Sequence, residues 1–263
     1  MPEYEVIVVD DASKDGSFAI AQDFAVRDNR IKLYRNDNNL GDYGNRARAA
    51  SLATAPLIKY LDSDDVIYEH SLEIMVSAME KFPEAALGLA HSRPEDDEPY
   101  PFMLTPAECW RKNFLNGGCI ATGPSGAIIR KHRFLEIGGF RSRGVLSDTD
   151  LWYRMSAKWP TVLLPPGLVW WRRHEGQEFT SNGAFLTYLN DGINVSMDAL
   201  KSPDSPLSPA ETEAAIGRER QIHARRLLSV ALRRGRPLEA WRSLRKSDLG
   251  PIELLKGFRG YPA

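Results

Sequence analysis

What this 263-residue chain lacks already narrows its function. It has two cysteines, Cys109 and Cys119, too few for a disulfide framework and too far apart for a CxxC metal or redox site. They read as reduced thiols of a cytosolic protein. No run of about 18 apolar residues occurs, so no helix is expected to span a bilayer. The opening stretch, MPEYEVIVVDDAS, has no basic segment leading into an apolar one, and no secretory leader is expected. No Gly-x-Gly pair exists anywhere, which excludes the GxGxxG dinucleotide fingerprint. A phosphate-cradling GxxxxGK(S/T) loop is absent as well.

What remains is an ordinary globular composition, 43% hydrophobic and 26% charged, which excludes collagen, a coiled-coil rod and a wholly disordered chain. A chain of this length buries roughly 70–75% of its unfolded surface and needs no disulfide or metal staple. The net charge of −1 conceals an asymmetry. Residues 205–263 carry twelve Lys/Arg against six Asp/Glu, so the acidic excess lies in the rest. A basic tail invites an anionic membrane surface or nucleic acid, and a solvated helix face balancing an acidic body is the plainer reading. Nucleic acid is not expected as a partner.

Apolar runs and helical periods alternate through the first half. Tyr4–Val9, Ile31–Tyr34 and Leu57–Leu61 read as strands; the first suits a buried one. Ser13–Val26, Gly44–Ala53 and Glu69–Lys81 read as helices. Such βαβα alternation predicts a mostly parallel sheet covered by helices. His91–Phe102 is Pro-rich and acidic and reads as a loop. Ser125–Arg130, Thr161–Leu164 and Leu168–Trp171 are further strands, and Asp148–Lys158 a helix. Trp110, Trp170 and Trp171 read as core or acceptor-pocket aromatics, the core being favoured. The SPDSPLSP stretch marks a linker over 201–209. Beyond it, Ala210–Arg234 and Leu238–Leu244 form two amphipathic helices. The expected organisation is therefore a domain over 1–200, the linker, and a basic helical extension over 210–263.

Two strands end in acids, Asp10-Asp11 and Asp62-Ser63-Asp64-Asp65. In an open α/β sheet, ligands sit outside the carboxyl ends of the strands. Each cluster alone reads equally as a helix cap or turn. Converging carboxylates without basic neighbours repel, unless a divalent cation or a donor group joins them. A phospho-receiver site pairs acids in this way. That fold is about half this length, however, and no strand-terminal Lys completes its site.

Longer segments carry a more specific likeness. YEVIVVDDASKDGS, NDNNLGDYGNRARAAS, LIKYLDSDD, GPSGAIIRKHRFLEIGGF, SDTDLWYRM and WWRRHEGQ follow one another from about Tyr4 to about Thr180. In that order they resemble the conserved elements of family 2 of the nucleotide-sugar glycosyltransferases. The resemblance implies a GT-A-like α/β fold and inverting transfer of a sugar from a nucleoside diphosphate, a UDP-sugar, to a hydroxyl acceptor. It makes Asp148 the catalytic base, with Asp150 as the fallback. At a helix N-terminus such a carboxylate is ordinarily a cap with a lowered pKa. It assigns Asp10 to the nucleobase, Arg46 to the base or a phosphate, and Asp62 and Asp65 to the nucleotide sugar. Asp64 and His174 become ligands of Mn2+ or Mg2+, the imidazole favouring manganese. Asp11 is a turn former, and Trp152 and Arg154 are packing and salt-bridge residues. The implied acceptor is a saccharide or a lipid-linked one, met on the cytosolic side, with the C-terminal helices available to a membrane surface or a protein.

Two departures qualify the match. Ser147 stands where the family has Glu beside its base. The family also has an apolar strand and helix ahead of the segment that matches YEVIVVDD. Without that strand its neighbours are expected to leave backbone groups unpaired. A catalytically degenerate binding or scaffold module is the alternative this raises.

Overall fold

A computed structural model describes residues 3–90, 98–174, 184–247, 249–250 and 254. The elements run β1 (Val6–Asp10), α1 (Ser17–Arg27), β2 (Ile31–Arg35), α2 (Asp42–Leu52), β3 (Leu57–Lys59), β4 (Val66–Ile67), α3 (Ser71–Lys81), β5 (Leu87–Ala90), β6 (Phe102–Leu104), α4 (Pro106–Phe114), β7 (Ala127–Arg130), α5 (Lys131–Glu136), α6 (Ser147–Lys158), β8 (Thr161–Leu164), β9 (Val169–Trp170), α7 (Ala184–Leu200), α8 (Pro209–Leu232) and α9 (Pro237–Leu244). Contacts divide the chain into two units, 1–105 with 120–172, and 106–119 with 173–263.

The first unit is α/β, as expected, but its strand pairing is mixed. A five-stranded sheet has the order β3-β7-β5-β8-β6, and only β5 and β8 are parallel within it. The β3–β7, β5–β7 and β6–β8 pairs are antiparallel. The mostly parallel expectation thus holds for β5–β8 and for the separate β1–β2 pair. It fails because the regular βα alternation stops at β5, after which β6 and β7 enter the sheet in the opposite sense. β4 and β9 form a small antiparallel pair. Among the described residues no ladder joins β1 to β3, so the parallel pair β1–β2 stands apart from the main sheet.

The core sits on the five-stranded sheet. Met75 and Met79 of α3 pack with Ile128, Val162 and Leu164, all fully or almost fully buried. Leu151, Trp152 and Met155 of α6 are also buried. Gly88 allows this closeness in the middle strand: a Cβ there would come within 2.8 Å of Ile128 Cγ2. Fully burying a leucine-sized side chain contributes about 1.5–3 kcal/mol. Trp170 and Trp171 are not core residues. They are about half exposed, because β9 lies on a two-residue ladder outside the main sheet. The segment 91–97, within the expected loop, lies outside the described residues.

The second unit is helical. It comprises 106–119 and 173–263, and within it Leu189 of α7 shares a core with Leu227 and Val230 of α8 and Ala240 of α9. Ser208 and Glu211 form a capping box that starts α8. Arg111 of α4 pairs with Glu211 at 2.6 Å, and Arg218 donates to the Phe114 carbonyl. The two cysteines are buried and not joined in a disulfide, with sulfurs 3.9 Å apart.

Candidate functional site

The carboxyl end of β1 is tied to the start of α2. Asp11 accepts from the backbone N–H of Leu40 and Gly41 at 2.8 and 3.0 Å, and from Asn36 Nδ2 at 2.6 Å. It holds a turn, as the sequence suggests. Gly41 takes φ +75°, a left-handed conformation that favours glycine, and this lets α2 begin there. Asn45 of α2 donates back to the Val9 carbonyl at 3.0 Å. Asp10 is buried; its carboxylate accepts from Ser13 N and pairs with Arg35 at 3.1 Å.

One turn into α2, Arg46 reaches the end of β3. Its guanidinium pairs with Asp62 at 2.6 Å and with Asp42, four residues back, at 2.9 Å. The ring of Tyr43 lies 5.6 Å and that of Tyr60 6.0 Å from the guanidinium carbon. Arg46 Nε is buried and has no acceptor, so the group has a donor left over. The Asp62 N–H donates to Ser125 Oγ at 3.1 Å. Beneath it, the Lys59 ammonium donates to the Ser125 carbonyl. Burial lowers the Lys59 pKa to about 8, opposed by the charges of Asp62 and Asp65. Asp65 accepts from Arg172 N at 3.3 Å.

Asp148 stands in the first turn of α6, half-buried. Its Oδ1 accepts from Thr149 N at 2.6 Å. Burial raises its pKa to about 6, against hydrogen bonds from Thr149 and Tyr43 and the charge of Arg46. The expectation of a lowered pKa at this helix end is therefore reversed: desolvation outweighs the helix terminus. Asp150 is a different kind of carboxylate. It is buried, and its two oxygens pair with Arg154 at 2.7 Å and Arg143 at 3.5 Å. Arg154 also donates to the carbonyls of Ile137 and Gly139. Trp152 is buried and donates to the Thr122 carbonyl at 3.0 Å. Asp150, Trp152 and Arg154 thus brace the helix that presents Asp148.

The fold brings Arg46, Asp62 and Asp148 into one neighbourhood. Asp10 is engaged by its own turn and by Arg35. His174 is exposed and belongs to the second unit, and residues 175–177 of the WWRRHEGQ segment lie outside the described residues. Among the described residues no three His, Cys, Asp or Glu side chains converge as a metal-binding group. The donor set nevertheless suits a hard divalent ion. Such ions are often held by one or two carboxylates, with substrate phosphates and water completing the shell, and Asp62, Asp64 and Asp65 supply oxygen donors on one short loop. Sequence reading missed Tyr43, Asp42 and Lys59. Tyr43 and Asp42 sit three and four residues before Arg46, a spacing that shares a helix face and that would have pointed to both.

The model of glycosyl transferase family 2 matches residues 1–133 of this chain. Glycosyltransferase GlyG of Streptococcus pneumoniae serotype 4 is 30% identical over 102 residues, covering 38% of this chain and 34% of GlyG. Among solved structures, S. aureus TarS 1-349 in complex with UDP-GlcNAc aligns with a TM-score of 0.62 at 19% identity, covering 85% of this chain and 65% of that one. Mannosyltransferase PcManGT from Pyrobaculum calidifontis, in complex with GDP-Man and Mn2+, gives 0.59 at 16%, covering 96% and 76%. The chain spans about a third of the length of GlyG, and the two structures share its fold.

Proposed function

The chain belongs to glycosyl transferase family 2, and from that premise we propose that it transfers a sugar from a nucleoside-diphosphate donor to a hydroxyl acceptor. The observation that carries this reading is the Asp148 carboxylate, half-buried, shifted to about 6 and lying in the field of Arg46. At pH 7 a carboxyl with that midpoint is about 90% ionised and still close enough to neutrality to take a proton.

In the proposed reaction Asp148 accepts the proton of the acceptor hydroxyl as that oxygen attacks the anomeric carbon. The new carbon–oxygen bond forms on the face opposite the leaving group. The bond to the diphosphate breaks, its electron pair leaves with the diphosphate, and the configuration inverts. Arg46 and Asp62 orient the donor, Asp65 assists, and Asp10 faces the nucleobase. Asp64 is the residue of the first unit that would hold Mn2+ or Mg2+, whose charge would offset that of the departing diphosphate. UDP is the favoured nucleotide, a choice supported by the UDP-GlcNAc bound to the structurally similar TarS. The acceptor class is a saccharide or lipid-linked one, reached on the cytosolic side, with the C-terminal helices as a surface for membrane or protein. No helix among the described residues is long and apolar enough to cross a membrane.

One observation favours a second reading, a binding module without turnover: β1–β2 has no ladder to the main sheet among the described residues. Asp148→Asn separates the two. With a panel of UDP-sugars and Mn2+, release of UDP should fall 10²–10⁴-fold in the variant while UDP affinity stays within about twofold. Equal release by both proteins removes Asp148 from its role. Binding without release by the unaltered protein supports the binding module.

A further inference from the structure

In the second unit, α9 packs with its small residues and displays its large ones. Ala240 and Ser243 are buried, and Ala240 shares the core with Leu189, Leu227 and Val230. Asn190 of α7 donates to Ser243 Oγ at 3.1 Å, which fixes that rotation of the helix. Positions 238, 241, 242 and 245 recur at i, i+3, i+4 and i+7, a single helix face. That face is turned outward and carries Leu238, Trp241, Arg242 and Arg245; the leucine is 70% and the tryptophan 53% exposed. Leu232, at the end of α8, is exposed as well. A surface helix ordinarily turns its apolar stripe to the core. Here only Leu244 does so, and the other two large apolar side chains of α9 point away. The charge around them has one sign. Residues 232–246 hold six Lys/Arg and one acid, a net charge of +5, and all six cations are exposed. The acid, Glu239, is already paired with Arg236 at 2.8 Å. The Arg245 guanidinium lies over the Trp241 ring at 5.0 Å, so charge and apolar surface meet at one spot.

We infer that the outward face of α9, with the end of α8, is a docking surface for an anionic lipid bilayer. The inference rests on the reading of the C-terminal helices as a surface for membrane or protein, and commits that surface to lipid. Charge complementarity and side-chain chemistry make the choice together. Exposed cations of one sign are drawn to anionic headgroups, and arginine meets phosphate oxygens with paired N–H donors. Leucine and tryptophan reach the boundary between headgroups and acyl chains, where an indole buries its ring and keeps its N–H wet. The arginine stems cover apolar surface while their heads stay among the phosphates. A nucleic acid would take the cations and give the apolar tips no partner. A second copy docked face to face would set arginines against arginines.

The test is co-sedimentation of the purified full chain with vesicles, without donor sugar or metal, so that docking is read apart from the transfer reaction. Vesicles of phosphatidylglycerol and phosphatidylcholine in equal parts should bind the chain, and phosphatidylcholine alone should bind it at least about tenfold more weakly. Added salt should weaken the anionic binding. Trp241 fluorescence, read against Trp241→Phe, should shift to the blue on the anionic vesicles. Leu238→Ser with Trp241→Ser, and separately Arg242→Gln with Arg245→Gln, should each weaken binding by about tenfold. These side chains are exposed, so both variants should keep the far-ultraviolet circular dichroism of the unaltered chain. A folded chain that ignores anionic vesicles overturns the inference. So does undiminished binding by the Leu238→Ser, Trp241→Ser variant, which would show adsorption by charge alone. Self-association that this variant abolishes, without vesicle binding, overturns it in favour of a second copy, and tighter binding to a DNA duplex than to vesicles does so in favour of nucleic acid. An inactive chain that docks sinks the transferase reading alone, and an active chain that ignores vesicles sinks the docking alone.

Discussion

In the first unit, β8 buries all four of its residues, Thr161 to Leu164, and β5 nearly all of its own. β1 is as apolar, with three valines or isoleucines in a row after Val6, yet its only buried residue is Asp10. The helices repeat the contrast. α3 and α6 turn methionines, leucine and tryptophan into the core, whereas α1 buries nothing, and Ile20, Phe24 and Val26 are 62%, 54% and 83% exposed. Apolar content decides that a segment can form a strand. Burial needs cover on both faces, and β1–β2 is a two-stranded pair, which has little stability of its own. The two halves also divide the proposed chemistry. The base and its braces stand on the well-buried half, while the carboxyl end of β1 that carries Asp10 belongs to the lightly packed one.

The contrast can be broken or sharpened by substitution. The largest effect is expected in the main sheet. Leu163→Ala removes a fully buried side chain and should lower unfolding stability by about 2–5 kcal/mol in a urea titration. A loss below about 1 kcal/mol would mean that the main sheet is no better packed than β1–β2.

The next effect is acid-dependent and belongs to the join between the two halves. Glu5 accepts from Thr54 N, Thr54 Oγ1 and Ala55 N and pairs with Lys32 at 2.6 Å. These bonds, that of Lys32 foremost, hold its pKa at about 2, below the ordinary 4.5. The folded value is depressed, so its stabilisation is complete above pH 4.5 and disappears as pH falls through 2. Thermal melts should lose stability over that window in the natural chain and lose less in Glu5→Gln. Identical slopes would show that the join carries no load.

A smaller gain is expected at the turn after β1. Ala12 holds φ +60°, where a side chain costs about 1 kcal/mol, so Ala12→Gly should stabilise by up to that amount in the same titration. The smallest effect is Phe24→Ala on α1, expected within about 0.5 kcal/mol. A cost above about 2 kcal/mol would show that α1 is covered by something in solution.

Legibility in the sequence follows the same division by packing. Thr161–Leu164 was readable to the residue, and the helix expected over Glu69–Lys81 begins two residues later, at Ser71, and ends at Lys81 as its helical period marks. Leu87–Ala90 was not readable, since a four-residue strand containing a glycine has no alternation to detect. α7 was missed although it is long, and α4 hides behind the proline that opens it. The reversal of β6 and β7 depends on pairing between distant segments, which local pattern does not carry. At the site, the acids at strand ends and Arg46 were visible as residue types at strand termini and a helix start. Tyr43 was legible only through its three-residue spacing from Arg46 on one face of α2.

The most direct test of the donor site is calorimetric titration of the chain with UDP, with and without Mn2+, beside Asp64→Ala. Micromolar binding that requires Mn2+ and weakens at least tenfold in Asp64→Ala is the predicted result. A folded chain that ignores UDP, or that binds it equally well without Mn2+ and in Asp64→Ala, would contradict a metal-assisted nucleotide-sugar site at the ends of β1 and β3.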